Sequence, residues 1–143
     1  MAAAGLESAV PDQGLVFSLG ENRFCVGIDT VDEIVRAGEI SAIPDSPPMV
    51  EGVMNLRGAT TVVVDPRVVF DVPVTDTDSR VIIFEADDSS VGWLADEVHW
   101  VGDLADHDVE PAPDAQSISG ILKRDGTFTL WVDPAVLNDR IAD

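Results

Sequence analysis

Apolar positions along this chain fall in short runs broken by turn residues, with the alternation of strands more often than the longer period of a helix. "GLVFSLG" (14–20) and "RFCVGID" (23–29) flank Glu21-Asn22, and Gly20 can supply a positive φ, so the pair predicts a β-hairpin. "ATTVVVD" (59–65), "RVIIFEA" (80–86), "SVGWLAD" (90–96) and "EVHWVGD" (97–103) are rich in β-branched and aromatic residues and predict four more strands. "SISGILKR" (117–124) and "TFTLWVD" (127–133) predict a second hairpin across Asp125-Gly126, a pair suited to a primed turn. "VDEIVRAG" (31–38) fits strand and helix equally. "PAVLNDRIA" (134–142) carries proline at a first helical position and predicts a short terminal helix. "IPDSPPMVEG" (43–52) reads as a loop ending in a short helical turn, and "VEPAPDAQ" (109–116) as a proline-bearing connection. No repeat of fixed period stands out. Closely spaced strands with few helices predict an all-β barrel or sandwich. Residues 1–13 lack periodicity and are expected to form a flexible leader to one domain over 14–143.

Charge changes this picture. Twenty-seven Asp and Glu against eight Lys and Arg give a formal net charge of −19, yet 45% of the residues are hydrophobic, which sets the chain apart from a disordered acidic tail. A surface this negative repels phosphate backbones and anionic membranes, so no nucleic acid and no direct membrane contact are expected. Two explanations of the acidity stay open: a basic partner, or adaptation to concentrated salt, in which self-repulsion is screened. Acid spread over nearly every loop, with Lys123 the only lysine, fits the halophilic reading better. Cys25 is alone and demands no oxidising compartment. The start, "MAAAGLESAVPDQG", has neither a basic region nor a sustained apolar stretch, so no signal peptide and a cytoplasmic location are expected.

Candidate chemistry is sparse. His99 and His107 lie near Asp96, Asp103, Asp106 and Asp108, which raises the alternative of a metal-binding protein or metal-dependent enzyme. With aspartate so abundant, however, an Asp near a His carries little weight. Cys25 sits in an apolar strand without a flanking cation and reads as a small buried hydrophobe. No serine stands in a nucleophile elbow and no glycine-rich phosphate loop precedes a helix. Asp76 with Asp78, and Asp87-Asp88, read as solvated turn residues. Trp93, Trp100 and Trp131 read as core. No catalytic residue, cofactor or metal is assigned.

One cation demands an account. In "EGVMNLRGATTVVVDPR" (51–67), Arg57 stands between Leu56 and Gly58, just ahead of an apolar run. A charge in apolar surroundings must be paired, and the guanidinium fork favours a carboxylate or backbone carbonyls. Gly52 and Gly58 bracket it and permit a tight turn or a close backbone approach. A structural ion pair and a docking surface ordered by that pair are compatible readings.

The stretch "VEGVMNLRGATTVVVDPR" resembles the signature of the CheW family of chemotaxis coupling proteins: Gly-Val-x-Asn-Leu-Arg-Gly, then an apolar strand ending Asp-x-Arg. "VFSLGENRFCVGIDTVDEIVR", "IPDSPPMVEG", "VGWLADEVHWV", "VEPAP" and "ISGI" agree in order and spacing, so the resemblance covers about residues 14–140. Pro66 replaces the usual leucine of Asp-Leu-Arg, and Trp93 and Ala95 alter a later block. The resemblance implies two small five-stranded, SH3-like β-barrels packed around a shared core, with short helical turns. It implies a non-catalytic adaptor whose partners are the regulatory domain of the histidine kinase CheA and the cytoplasmic tip of a chemoreceptor. Receptor-side positions carried over by motif are Val31, Glu33, Gly52, Asn55, Leu56, Arg57 and Gly58, with Glu33 as the carboxylate for Arg57. The kinase is expected at a barrel end, in the 80–102 region.

Overall fold

The computed structural model describes residues 10–73, 80–85, 90–112 and 118–139. Strands β1 (Gln13–Leu19) and β2 (Asn22–Gly27) form the first hairpin, with Gly20 at φ +60° in its turn. A single 3-10 turn, Ile28–Thr30, leads into β3 (Val31–Arg36), which resolves the ambiguous segment as strand. β4 (Val50–Leu56) and β5 (Ala59–Val64) follow, then helix α1 (Pro66–Phe70). The middle of the chain continues with β6 (Arg80–Glu85), β7 (Ser90–Ala95) and β8 (Glu97–Asp103). β9 (Asp108–Glu110), β10 (Gly120–Arg124), β11 (Thr127–Trp131) and helix α2 (Pro134–Asn138) complete the order. The carboxylates Asp76, Asp78, Asp87 and Asp88, and most of the expected leader, lie outside the described residues.

These strands make two sheets. One has the order β8-β1-β2-β11-β10-β9, the other β3-β6-β7-β5-β4. The chain opens with a hairpin in the first sheet, builds the whole second sheet, and returns to finish the first. Each sheet holds a single parallel pair, β2 with β11 and β5 with β7, in an otherwise antiparallel ladder. The first sheet has six strands rather than the five expected. The extra one, β9, has only three residues and a lone buried Val109 between acids, too short to leave an alternating signature. Similarly, Pro48-Met49 forms a turn and not helix, because β4 begins at once at Val50.

The apolar runs are long because many strands are buried on both faces. Val16, Cys25, Leu104, Val109, Leu122 and Trp131 fill the first sheet's interior, and Met54, Val63, Val81, Ile83 and Leu94 fill the second. Alternate residues on the same strands point the other way. Leu15, Phe17 and Leu19 of β1, Phe24 and Val26 of β2, Ile82 and Phe84 of β6, and Trp93 of β7 meet in a third cluster between the sheets. Each barrel therefore has its own core, and the two share a common layer. The Phe84 and Trp93 rings sit 4.6 Å apart in that layer, and Phe24 lies 4.8 Å from Phe70 of α1. Trp93 and Trp131 are core as expected, whereas Trp100 is half exposed.

Two Asp-Pro turns follow β5 and β11, one strand from each parallel pair. The Asp65 side chain accepts from Arg67 N and the Asp133 side chain from Ala135 N, each capping a helix that begins with proline. The helices cross-brace the barrels: α1 sends Phe70 to Phe24 of the first sheet, while Asn138 of α2 accepts from Trp93 Nε1 of the second at 2.8 Å. Val-Asp-Pro, at 64–66 and 132–134, thus marks an internal repeat of architecture without a repeat of fixed period.

Inside the second barrel, Thr61 is fully buried and its hydroxyl has no hydrogen-bond partner. Thr61→Val keeps the shape and removes an unsatisfied polar atom, so it is expected to stabilise by about 1 kcal/mol. That corresponds to a rise in Tm of about 3 °C. A lower Tm in differential scanning calorimetry would contradict this.

Candidate docking site at the closure of the second barrel

β3 and β4 are the two edges of the five-stranded sheet, and the site forms where those edges meet. Past β3, Ser41 and Val53 exchange backbone hydrogen bonds of 2.9 Å in both directions, an isolated bridge to β4. Gly52 makes that approach possible. A Cβ there would stand 2.2 Å from the Ser41 carbonyl oxygen, and its φ of +156° falls where side chains are strained.

Beyond the bridge, β4 and β5 are joined by the two-residue turn Arg57-Gly58, at φ +51° and +87°. Both central residues in the left-handed region make a primed turn, a geometry that favours Asn, Asp or Gly at the first position. The β10–β11 hairpin has such a pair, Asp125-Gly126 at +51° and +80°. Arginine in that place is sterically uncommon and marks a candidate functional position. Asn55 supports the turn, its Oδ1 accepting from Gly58 N at 2.7 Å.

From the turn, Arg57 reaches across to Glu33 of β3. Its Nη1 donates to Glu33 Oε1 at 3.0 Å and its Nη2 donates to Oε2, a bidentate fork. The expected partner is therefore correct, but the expected surroundings are not. The Arg57 side chain is 68% exposed, because the strand ends at Leu56 and the turn carries the next residue out of the apolar layer. The hydrogen bond from Arg57 holds the Glu33 carboxyl below its ordinary range, and Glu33 in turn raises Arg57. The pair's contribution is accordingly complete above the usual carboxylate pKa and fades only as pH falls through Glu33's lowered value.

The remaining candidates separate. Leu56 packs against the interior of the second barrel, beneath the turn. Gly52 lies back along β4 at the bridge. Val31 turns away: a bulge between Val31 and Glu33 lets Val31 pack on the shared layer while Glu33 pairs with Ile83, whose side chain is in the barrel interior. Glu33, Asn55, Arg57 and Gly58 thus form the rim, with the others shaping it from behind.

The cation that truly enters the apolar interior is Arg67, missed in the sequence though it ends the Asp-x-Arg motif. It is 4% exposed, with Nε 2.8 Å from Asp65 Oδ1 and Nη1 2.8 Å from Asp96 Oδ1. Burial works to lower its pKa, but the two aspartates outweigh that and leave it raised. The alternative chemistry finds no such assembly. His99 Nε2 is hydrogen-bonded to Ser18 Oγ, while His107 follows the end of β8, and no group of three potential metal ligands occurs among the described residues. Cys25 is fully buried, and burial pushes its thiol up to about 12, where it stays protonated.

Paired barrels with a shared apolar layer and a polar clip across one seam define a double β-barrel class of domain. The chain belongs to the CheW-like domain family, which matches residues 13–141. It is 28% identical to the chemotaxis protein CheW of Bacillus subtilis (strain 168), over 88% of this chain and 86% of that one. It is 34% identical to CheW of Rhizobium meliloti (strain 1021), over 72% and 68% respectively. The crystal structure of the scaffolding protein TtCheW from Thermoanaerobacter tengcongensis superimposes with a TM-score of 0.77 at 32% identity, covering 86% of this chain and 84% of that one. No helix among the described residues is long and apolar enough to cross a membrane.

Proposed function

We propose that the chain is a non-catalytic adaptor of chemotaxis signalling, working in the cytoplasm, that couples the cytoplasmic tips of chemoreceptors to the regulatory domain of the histidine kinase CheA. The observation that carries this reading is Arg57 held in an unfavourable primed turn and clipped to Glu33 over the barrel seam. The backbone of that turn suits asparagine or glycine better, so an arginine there supports a role in meeting a partner. Family membership supports the reading. The adaptor transmits conformation: a receptor helix settles beside β3 and the β4–β5 turn, and the kinase domain docks at a barrel end. Many modest contacts, multiplied by a repeating assembly, give the linkage its strength.

Arg57→Asn tests it. Asparagine suits the turn, so Tm is expected to hold or rise. Affinity for a receptor-tip fragment and CheA is expected to fall about tenfold, the loss typical of an interface anchor. Co-sedimentation of the ternary complex reads the effect, and an undiminished complex would remove Arg57 from the site.

A further inference from the structure

The register of β3 against β6 sets Arg36 directly opposite Arg80. Residues opposite one another in an antiparallel pair share a face of the sheet. That face can be identified. The preceding pair on it is Ile34 opposite Ile82, and Ile82 is wholly buried in the layer between the barrels. On its other side Arg80 stands opposite Ala95, another residue of that layer. Both guanidinium groups therefore belong to the outer end of the inter-barrel face, next to Ile34, which is 39% exposed.

This arrangement works against stability. Like charges directly opposite on neighbouring strands repel. The chain has twenty-seven acids available to neutralise eight cations. Arg57, Arg67, Lys123 and Arg124 each have a carboxylate within 4 Å and Arg23 stands over the Trp100 ring, whereas Arg36 and Arg80 have no ion-pair partner among the described residues. Two of the scarce cations are thus set side by side and left for something else.

We propose that Arg36 and Arg80 form a carboxylate-binding site at the end of the strip begun by Val31 and Ile34. Its occupant is an acidic, apolar-faced helical segment of the receptor tip, which rests on the receptor-coupling reading above. A carboxylate accepts from both forks while aliphatic side chains of the helix cover Ile34. A chain of net charge −19 repels an acidic polypeptide almost everywhere else, so this site fixes where, and in what register, such a segment lands.

The test is an Arg36→Gln, Arg80→Gln double variant of the full chain, titrated with a receptor-tip fragment across the salt range in which the chain stays folded. The variant is expected to bind about tenfold more weakly at the lowest salt, with the gap closing as salt rises. Its Tm is expected to equal or exceed the parent's, because the cross-strand repulsion is gone. A fragment whose exposed Glu and Asp are changed to Gln and Asn is expected to bind parent and variant alike. Equal affinity of parent and variant for the acidic fragment, while Arg57→Asn still loses binding, overturns the carboxylate site and leaves the adaptor reading standing. A fall in Tm accompanying the loss of binding makes the pair structural and also overturns it. A parent chain that binds no receptor tip overturns both.

Discussion

Arg67→Met is expected to remove about 4 kcal/mol of folding stability, the range for stripping one partner from a buried ion pair. Methionine fills much of the arginine's volume, so the loss is electrostatic. It leaves Asp65 and Asp96 facing each other across the site of the lost cation, both largely out of water. The cluster is also a junction. Asp96 N donates to Ser18 O at 3.0 Å and Asp96 Oδ2 accepts from Gly20 N at 2.5 Å, which ties it to the first hairpin. Arg67 belongs to α1, at the end of the second sheet. Removing the guanidinium therefore loosens the seat of one barrel on the other. With total stabilities of about 5–15 kcal/mol usual for a domain, such a loss brings unfolding within reach of modest heating. In urea, the midpoint is expected to fall with little change in slope. Adding Asp65→Asn and Asp96→Asn is expected to recover part of the loss, because the repulsion between the two acids goes with them. An Arg67→Met chain as stable as the parent would show that contacts other than the guanidinium suffice to hold both acids.

The two arginines show what a sequence reveals and what it hides. Arg57 stood out because Leu56 precedes it and "TTVVVD" follows, but the residue lies on a turn, and turns leave the apolar layer even when both flanking strands are inside it. Its partner was legible, since Glu33 lies in a recognisable motif. Arg67 looked unremarkable between Pro66 and Val68, yet the Asp-Pro cap aims it inward at Asp96, an acid far along the chain. Nothing local encodes that meeting. Strands were legible wherever β-branched runs were bounded by Gly or Asp, as at Asp125-Gly126. β9 was not, because three residues cannot display an alternation, and the face borne by Arg36 and Arg80 emerges only from a register between strands that the chain sequence does not specify.

Gly52→Ala is expected to cost about 3 kcal/mol, as an overpacked contact that side-chain motion cannot relieve. The added methyl would stand 2.2 Å from Ser41 O and 2.7 Å from its carbonyl carbon, and both are backbone atoms. The edge must withdraw, and with it go the two hydrogen bonds between Ser41 and Val53, each worth about 1 kcal/mol net. An L side chain at φ +156° adds strain of about 1 kcal/mol or more. Parting β4 from the segment after β3 also draws Arg57 away from Glu33. Gly52 therefore serves the rim through closure, without having to touch a partner. Amide hydrogen exchange at Ser41 and Val53 is expected to accelerate first, ahead of the shared layer. Gly58→Ala is the informative contrast. Nothing lies within 4 Å of a Cβ there, so only the strain of φ +87° remains, about 1 kcal/mol. If the two alanine variants destabilise equally, crowding against Ser41 is not what selects glycine at position 52, and the seam closes by some other contact.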